Sequence, residues 1–279
     1  MEKFNNVKFC IGPMSKNIVD AIINFVNDTN KKMILIPSRR QIEHNGGYVN
    51  NWTTEEFSKY VRSKSNNLFL ERDHGGPGQG SEMDDGLKSL EEDCKYFDII
   101  HIDPWKFYKN YTEGLNSTIE LINFCYNKNK NLYFEIATEE AIKKFKISDL
   151  KNLISDLNKN LDKNIYDRIV YLVIQSGTAL REGKNIGSYD NSRLKNMVKM
   201  SKEFNFLTKE HNGDWLSDDQ VKDKFSTKLD AINIAPEFGM IETKVILNKL
   251  KVDNNIELID KFYKLCYDSK KWIKWVSKD

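Results

Sequence analysis

Four cysteines, five prolines and four histidines in 279 residues give several protein classes little to build on. The cysteines, Cys10, Cys94, Cys125 and Cys266, are widely scattered and form no CxxC pair. That spacing fits reduced thiols in a cytoplasm better than a disulfide frame. No run approaches the roughly 20 apolar residues of a membrane helix, and MEKFNNVKFCIGPMS lacks the charged start and long apolar core of a signal peptide. Charge of one sign is missing as well. The 43 basic and 41 acidic side chains are mixed along the chain, net +2, with no basic block and no acidic tail. Nucleic acid and membrane are therefore poor partners, and the expectation is a cytoplasmic globular protein acting on a small molecule.

What is present is rhythm. Eight short β-type runs recur: VKFCIG from Val7, MILIPS from Met33, LFLERD from Leu68, IIHIDP from Ile99, LYFEIA from Leu132, IVYLVIQSG from Ile169, FNFLTKEH from Phe204 and AINIAPE from Ala231. Between them, apolar residues fall at helical spacing, as in Ile18, Val19, Ile22, Ile23 and Val26. Thr53 with Glu56 forms a capping box, and Ser217 with Asp218 and Asp219 opens a helix in the same way. Eight βα units without a composition shift predict an α/β chain, a (β/α)8 TIM barrel, as one domain spanning 1–279. One or two extra C-terminal helices carrying Trp272 and Trp275 follow. A doubly wound open sheet is the alternative, disfavoured by the unit count and by the lack of GxGxxG after the first strand.

Alternation along a strand sends one set of side chains to the helix layer and the other to the barrel axis. The helix-facing set must be apolar, because an unpaired charge buried there costs several kcal/mol. Ile100 and Ile102 therefore face the helices, which turns His101 and Asp103 inward. The same rule puts Glu71, Asp73, Glu135, Gln175, Lys209, His211, Asn233 and Glu237 on the axial set, with His74 at the mouth. Charge thus collects at the C-terminal strand ends, where barrel enzymes carry their chemistry.

Three histidines lie there, His74, His101 and His211, with Glu135 and Asp103 able to join them, and two histidines with a carboxylate and an open position are what a catalytic divalent cation takes, Zn²⁺ foremost. Asp73, beside His74, is the candidate acid/base. Lys209 is expected to orient a substrate oxygen, with a Schiff base as its alternative role. A metal-free site of hydrogen-bonded histidines is the competing reading. The loop after strand two, with Ser38, Arg39, Arg40, Gln41, Gly46 and Gly47, and the loop after strand six, with Arg181 and Lys184, combine cationic side chains and glycine backbone suited to a phosphate or carboxylate. Substrate contacts are expected from Ser38, Arg39, Arg40, Gln41, Gly47, His101, Asp103, Gln175, Arg181 and Glu237.

The segments SRRQIEHNGGYVNNWTTEEF, ERDHGGPG, IIHIDP, LVIQSG, KEHNGDWLS and INIAPEFGMIETKV resemble, in order, motifs of the tagatose 6-phosphate kinase-like family. That family includes the non-catalytic subunit of class II tagatose-bisphosphate aldolase and tagaturonate epimerases. The resemblance implies a class II aldolase-type barrel, a sugar or sugar-phosphate substrate and divalent metal. It casts His74 and His211 as metal ligands, Asp73 as acid/base and Glu135 as the carboxylate ending strand five, serving catalysis or the metal. The chain departs from the family pattern at Arg40, Gly75 and the Asn212, Gly213, Asp214 stretch, and is considerably shorter. The resulting expectation is a metal-dependent enzyme acting on a phosphorylated or acidic ketose by retro-aldol chemistry, as a lyase or an epimerase. The alternative is a non-catalytic barrel that stabilises an aldolase partner subunit. A homo-oligomer is also left open.

Overall fold

The structure is a computed structural model describing residues 2–108, 110–137, 146–187 and 189–273, so that Trp275 lies outside the described residues. Its strands are β1 (Phe9–Ile11), β2 (Met33–Leu35), β3 (Leu68–Gly75), β4 (Ile99–Ile102), β5 (Tyr133–Ile136), β6 (Ile169–Ile174), β7 (Leu180–Arg181), β8 (Lys184–Asn185), β9 (Leu207–Glu210) and β10 (Ala231–Ile234). Its helices are α1 (Lys16–Thr29), α2 (Thr54–Arg62), α3 (Leu87–Tyr96), α4 (Tyr111–Lys128), α5 (Ile147–Asn160), α6 (Lys163–Tyr166), α7 (Asn191–Glu203), α8 (Asp218–Ser226), α9 (Pro236–Val252) and α10 (Ile256–Asp268). Eight strands close a parallel barrel in which β6 neighbours β9, β9 neighbours β10, and β10 returns to β1. This is the expected (β/α)8 TIM barrel, and α10 follows its last helix. The antiparallel β7–β8 hairpin lies in the loop after β6. Its two-residue strands are too short to leave an alternation in the sequence.

Alternation sorts the barrel wall as the sequence implies. Ile100, Ile102, Phe134, Ile136, Leu172 and Ile174 point outward into a core shared with Leu121, Leu150, Leu153 and Leu194 of the helices. Burying each such side chain contributes about 1.5–3 kcal/mol. Ser15 caps α1 by accepting from the Ile18 amide, and capping boxes at Thr53 with Glu56 and at Ser217 with Gln220 start α2 and α8. Trp272 lies half exposed near the chain end, its ring 5.8 Å from that of Tyr267.

The barrel interior is layered. Phe4 plugs the bottom, packing edge-on against Phe69 and Tyr133, with Tyr171 beside them. Above this apolar floor lies a charged layer of Lys209, Glu71 and Glu135, and above that the histidines. Outside the barrel, Arg72 is fully buried against Asp93 at 2.6 and 2.7 Å and donates to the carbonyls of Pro37 and Ile42 at 2.9 and 2.8 Å. It pins the loop after β2 to β3, which fixes where Ser38 to Gly47 meet the mouth.

Candidate active site

Three imidazoles converge at the C-terminal mouth. The ring centres of His74, His101 and His211 lie 4.7, 5.2 and 5.1 Å apart. One ligand atom from each, together with a carboxylate oxygen of Asp73, all fall within 4.8 Å of one another. The local backbone serves this convergence. β3 shifts register against β4 between Arg72 and Gly75, and His74 adopts φ of 51°, a left-handed conformation uncommon outside glycine. Asn212 and Trp215, just beyond His211, are also left-handed, with φ of 59° and 55°. Such conformations concentrate at functional sites, where the surrounding structure must hold them.

Each imidazole is anchored from behind. His74 Nδ1 lies 2.5 Å from Asp103 Oδ2, whose carboxylate also accepts from Gln79 Nε2 at 3.1 Å. His211 Nε2 lies 2.7 Å from Glu135 Oε1. His101 Nδ1 accepts a long 3.3 Å bond from the His74 amide, and its buried Nε2 has no hydrogen-bond partner. The fourth histidine, His44, is elsewhere, 3.0 Å from Glu43.

Under this layer, Lys209 is fully buried and pairs with Glu71 at 2.5 Å and with Glu135. Glu135 thus links the lysine to His211. Burial opposes its ionisation, yet Lys209 and the neighbouring histidines hold its carboxyl well below the usual range. Glu71 goes the other way, raised by burial and by facing Glu135. Burial alone would lower His74, but the charges of Asp73 and Asp103 push it up to about 9. His101 is lowered to about 4 by burial, with His74 and His211 adding to the effect. Asp103 is lowered to about 2 against the cost of burial, because His74 bonds it.

The remaining candidates fall into four places. Gln175 lines the cavity with His74, His101, Asp103, Ala137, Val173, Thr178, His211 and Asn212. Ser38 pairs with Asp73 as an extension of the β2–β3 ladder, and its amide donates to Gln41 Oε1 at 2.8 Å. Gly47 lies against the backbone of Gln41, so close that a Cβ would sit 2.0 Å from the Gln41 oxygen. Arg39 is buried and committed, bonding Glu43 at 2.7 Å and Asp84 at 2.7 and 2.6 Å. Arg40 is exposed and donates to the Gly80 carbonyl at 3.3 Å. Arg181 is exposed on the β7–β8 hairpin. Glu237 accepts from the Trp215 amide at 2.7 Å at the start of α9.

Thr178 lines the cavity without having been singled out in the sequence, where it carries no charge, and Asn212, noted there only as a departure from the family pattern, lines it too. Glu210 follows Lys209 directly in the chain but does not share its side of the strand. It points away from the axis, where it binds the Ser176 amide at 2.9 Å and Lys224 at 2.7 Å. That buried network holds the start of the loop after β6. Adjacent residues on a strand face opposite ways, so Glu210 and Lys209 do not meet.

No known family profile matches the chain, and no curated protein matches it by sequence. Solved structures do match in fold. A probable tagatose 6 phosphate kinase from Sinorhizobium meliloti 1021 superposes with a TM-score of 0.71 at 14% identity, over 82% of this chain and 65% of that one. The chain thus spans a little under two thirds of that protein's length. The YdjI aldolase from Escherichia coli K12 gives 0.67 at 12% identity, over 90% and 84% of the two chains. A fructose-bisphosphate aldolase from Campylobacter jejuni gives 0.67 at 14% identity, over 91% and 77%. No helix among the described residues is long and apolar enough to cross a membrane. The likeness suggested by the six motifs is therefore met in the fold: the chain shares its barrel with solved proteins described as aldolases and as a probable tagatose 6 phosphate kinase.

Proposed function

We propose that the chain is a metal-dependent carbohydrate enzyme that cleaves or rebuilds a C–C bond in a phosphorylated or acidic ketose. The convergence of His74, His101, His211 and Asp73 carries the proposal. The donor set fits a divalent cation. Asp103 and Glu135 back two of the imidazoles, the arrangement that fixes tautomer and ring orientation for a metal ligand. The unpartnered Nε2 of His101 is a buried polar atom with no other use among the described residues. In this reading the three histidines hold the ion, Zn²⁺ foremost, and Glu135 orients His211 from behind. Such an ion, when bound, supplies Lewis acidity toward a ketose carbonyl and its neighbouring hydroxyl.

The chain's own groups do the rest. Asp73, half-buried with Oδ1 3.7 Å from His74 Nε2, takes the proton of the hydroxyl on the scissile-bond carbon farther from the carbonyl. The bond's electron pair passes toward the carbonyl, releasing an aldehyde and an enediolate that becomes a shorter ketose when the proton Asp73 took is delivered to its carbon. The reverse step returns that proton. Addition to the opposite aldehyde face makes an epimer with the same parts. Lys209 keeps Glu135 ionised beneath the site. Of the three arginines near the loops, Arg40 and Arg181 are left to grip the anionic end, since Arg39 is bound by two carboxylates. Solved aldolases with this barrel support the reading at the level of fold.

The test is metal analysis of the gently purified chain, followed by a coupled assay of aldehyde release from a panel of ketose phosphates and ketonic sugar acids. Bound metal and cleavage or epimerisation are expected, with Asp73→Asn folded, metal-loaded and slower by about 10²–10⁴-fold. A chain that takes up no divalent ion and turns over no substrate, alone, would favour the non-catalytic partner of an aldolase instead.

A further inference from the structure

Asp103 backs His74, and the groups around Asp103 decide where its carboxylate points. Its amide donates to the Gly75 carbonyl at 2.8 Å, which ties the backbone to β3. The side chain is held less firmly. Oδ1 accepts a long 3.3 Å bond from the Trp105 amide, and Oδ2 faces His74 Nδ1. The last torsion of an aspartate is a broad, two-fold rotor, so a carboxylate held only in this way can swing and carry the imidazole with it. Gln79 removes that freedom. Its Nε2 lies 3.1 Å from Asp103 Oδ2 and 3.1 Å from the Asp103 carbonyl oxygen. An amide nitrogen carries two hydrogens, one for each acceptor. A single planar group thus grips both the carboxylate and the backbone of Asp103 and fixes one against the other. Among the described residues the Gln79 side chain hydrogen-bonds Asp103 alone.

The kind of donor suits the place. A primary amide stays neutral, so it neither draws Asp103 away from His74 nor sets a like charge beside a cation, as a lysine or arginine would. The segment that carries Gln79, residues 76–86 between β3 and α3, is strapped down by other groups. Arg39 donates to Asp84 at 2.7 and 2.6 Å and to the Gly76 carbonyl at 3.3 Å. The Gly78 amide donates to the Asp84 carbonyl at 2.9 Å, and Lys106 Nζ reaches the Gly78 carbonyl at 3.0 Å. Arg39, an expected anion grip, therefore holds the strap. None of these ties uses the Gln79 side chain, which is free to serve Asp103.

We propose that Gln79 is a positioning residue of the metal site: it locks the Asp103 carboxylate against His74 Nδ1 and so presets that imidazole for a divalent cation. This rests on the metal-site reading above and extends it to a residue outside the ligand set.

Competition titration with Zn²⁺ and the visible absorption of the Co²⁺-loaded chain test it, in the wild type, Gln79→Met and Lys106→Met. Gln79→Met keeps the size of the side chain and loses both donated bonds. It is expected to melt as the wild type does, to bind Zn²⁺ about 3–10-fold more weakly, the worth of one hydrogen bond, and to alter the Co²⁺ bands, which report ligand geometry. Lys106→Met frees the same strap at Gly78 without touching Asp103 and is expected to leave affinity and spectrum unchanged. Wild-type affinity with an unaltered Co²⁺ spectrum in Gln79→Met overturns the inference and leaves the metal site standing. Equal weakening by Lys106→Met, or a Gln79→Met chain that melts well below the wild type, overturns it as well, because the side chain would then be holding the strap. A wild-type chain that takes up neither ion overturns the metal reading itself, and this inference with it.

Discussion

Replacing Lys209 by methionine removes the ammonium shared by Glu71 and Glu135 while keeping an apolar stem of similar length. All three side chains are at most 1% exposed, so water does not take over the lost role. Removing one partner of a buried ionic group costs about 3–5 kcal/mol, which for a chain of this size lowers the melting temperature by roughly 5–9 °C. The cost depends on pH in a definite direction. In the wild type, Glu135 is held low, so its contribution is present above the ordinary carboxyl range and fades as pH falls through its lower folded value. Glu71 is held high and opposes it, costing stability as pH rises above its unfolded value until its proton is lost. Without the ammonium, both carboxyls bind protons more tightly folded than unfolded. The variant's deficit is then largest near neutrality and shrinks toward acid. Urea unfolding of both proteins at about pH 5 and about pH 7.5 measures this. A deficit under about 1 kcal/mol at both pH values, or one that grows toward acid, would refute the assigned triad.

Glu135→Gln keeps the shape behind His211 but not the charge, and is expected to weaken Zn²⁺ binding about 10–100-fold in calorimetric titration; unchanged affinity would remove Glu135 from its orienting role. A cation must displace a proton from His74, whose value lies at about 9, so metal affinity should climb with pH up to about 9, and a flat profile in competition titrations would contradict this. The same raised value stabilises the metal-free fold fully below about pH 6.5 and is lost as pH rises through about 9, so metal-free melting should fall over that window in differential scanning fluorimetry. Gly47→Ala would force a Cβ to 2.0 Å from the Gln41 oxygen, so a stability loss of about 1–3 kcal/mol with a raised KM is expected, and wild-type values of both would show the loop to be adaptable.

Much of the site is legible because strand alternation is local. Once Ile100, Ile102, Phe134 and Ile136 must face the helices, His101 and Glu135 have no direction left but the axis. The same reasoning turns Lys209 and His211 inward and, carried one residue further, turns Glu210 outward toward Lys224. Arg39 illustrates the limit of local reading. A cation in a glycine-containing loop looks like an anion grip until Asp84, 45 residues later in the chain, closes on it.

The sequence by itself determined the architecture and which residues enter the barrel, since both follow from the period of the apolar pattern along each strand and helix. Only the tertiary structure decided how those residues divide the work. Whether Glu135 meets a cation or the back of His211, and whether Lys209 pairs with Glu210 or with Glu71, depends on register between strands far apart in the chain. That register is set by the closure of the whole barrel, which no single segment records.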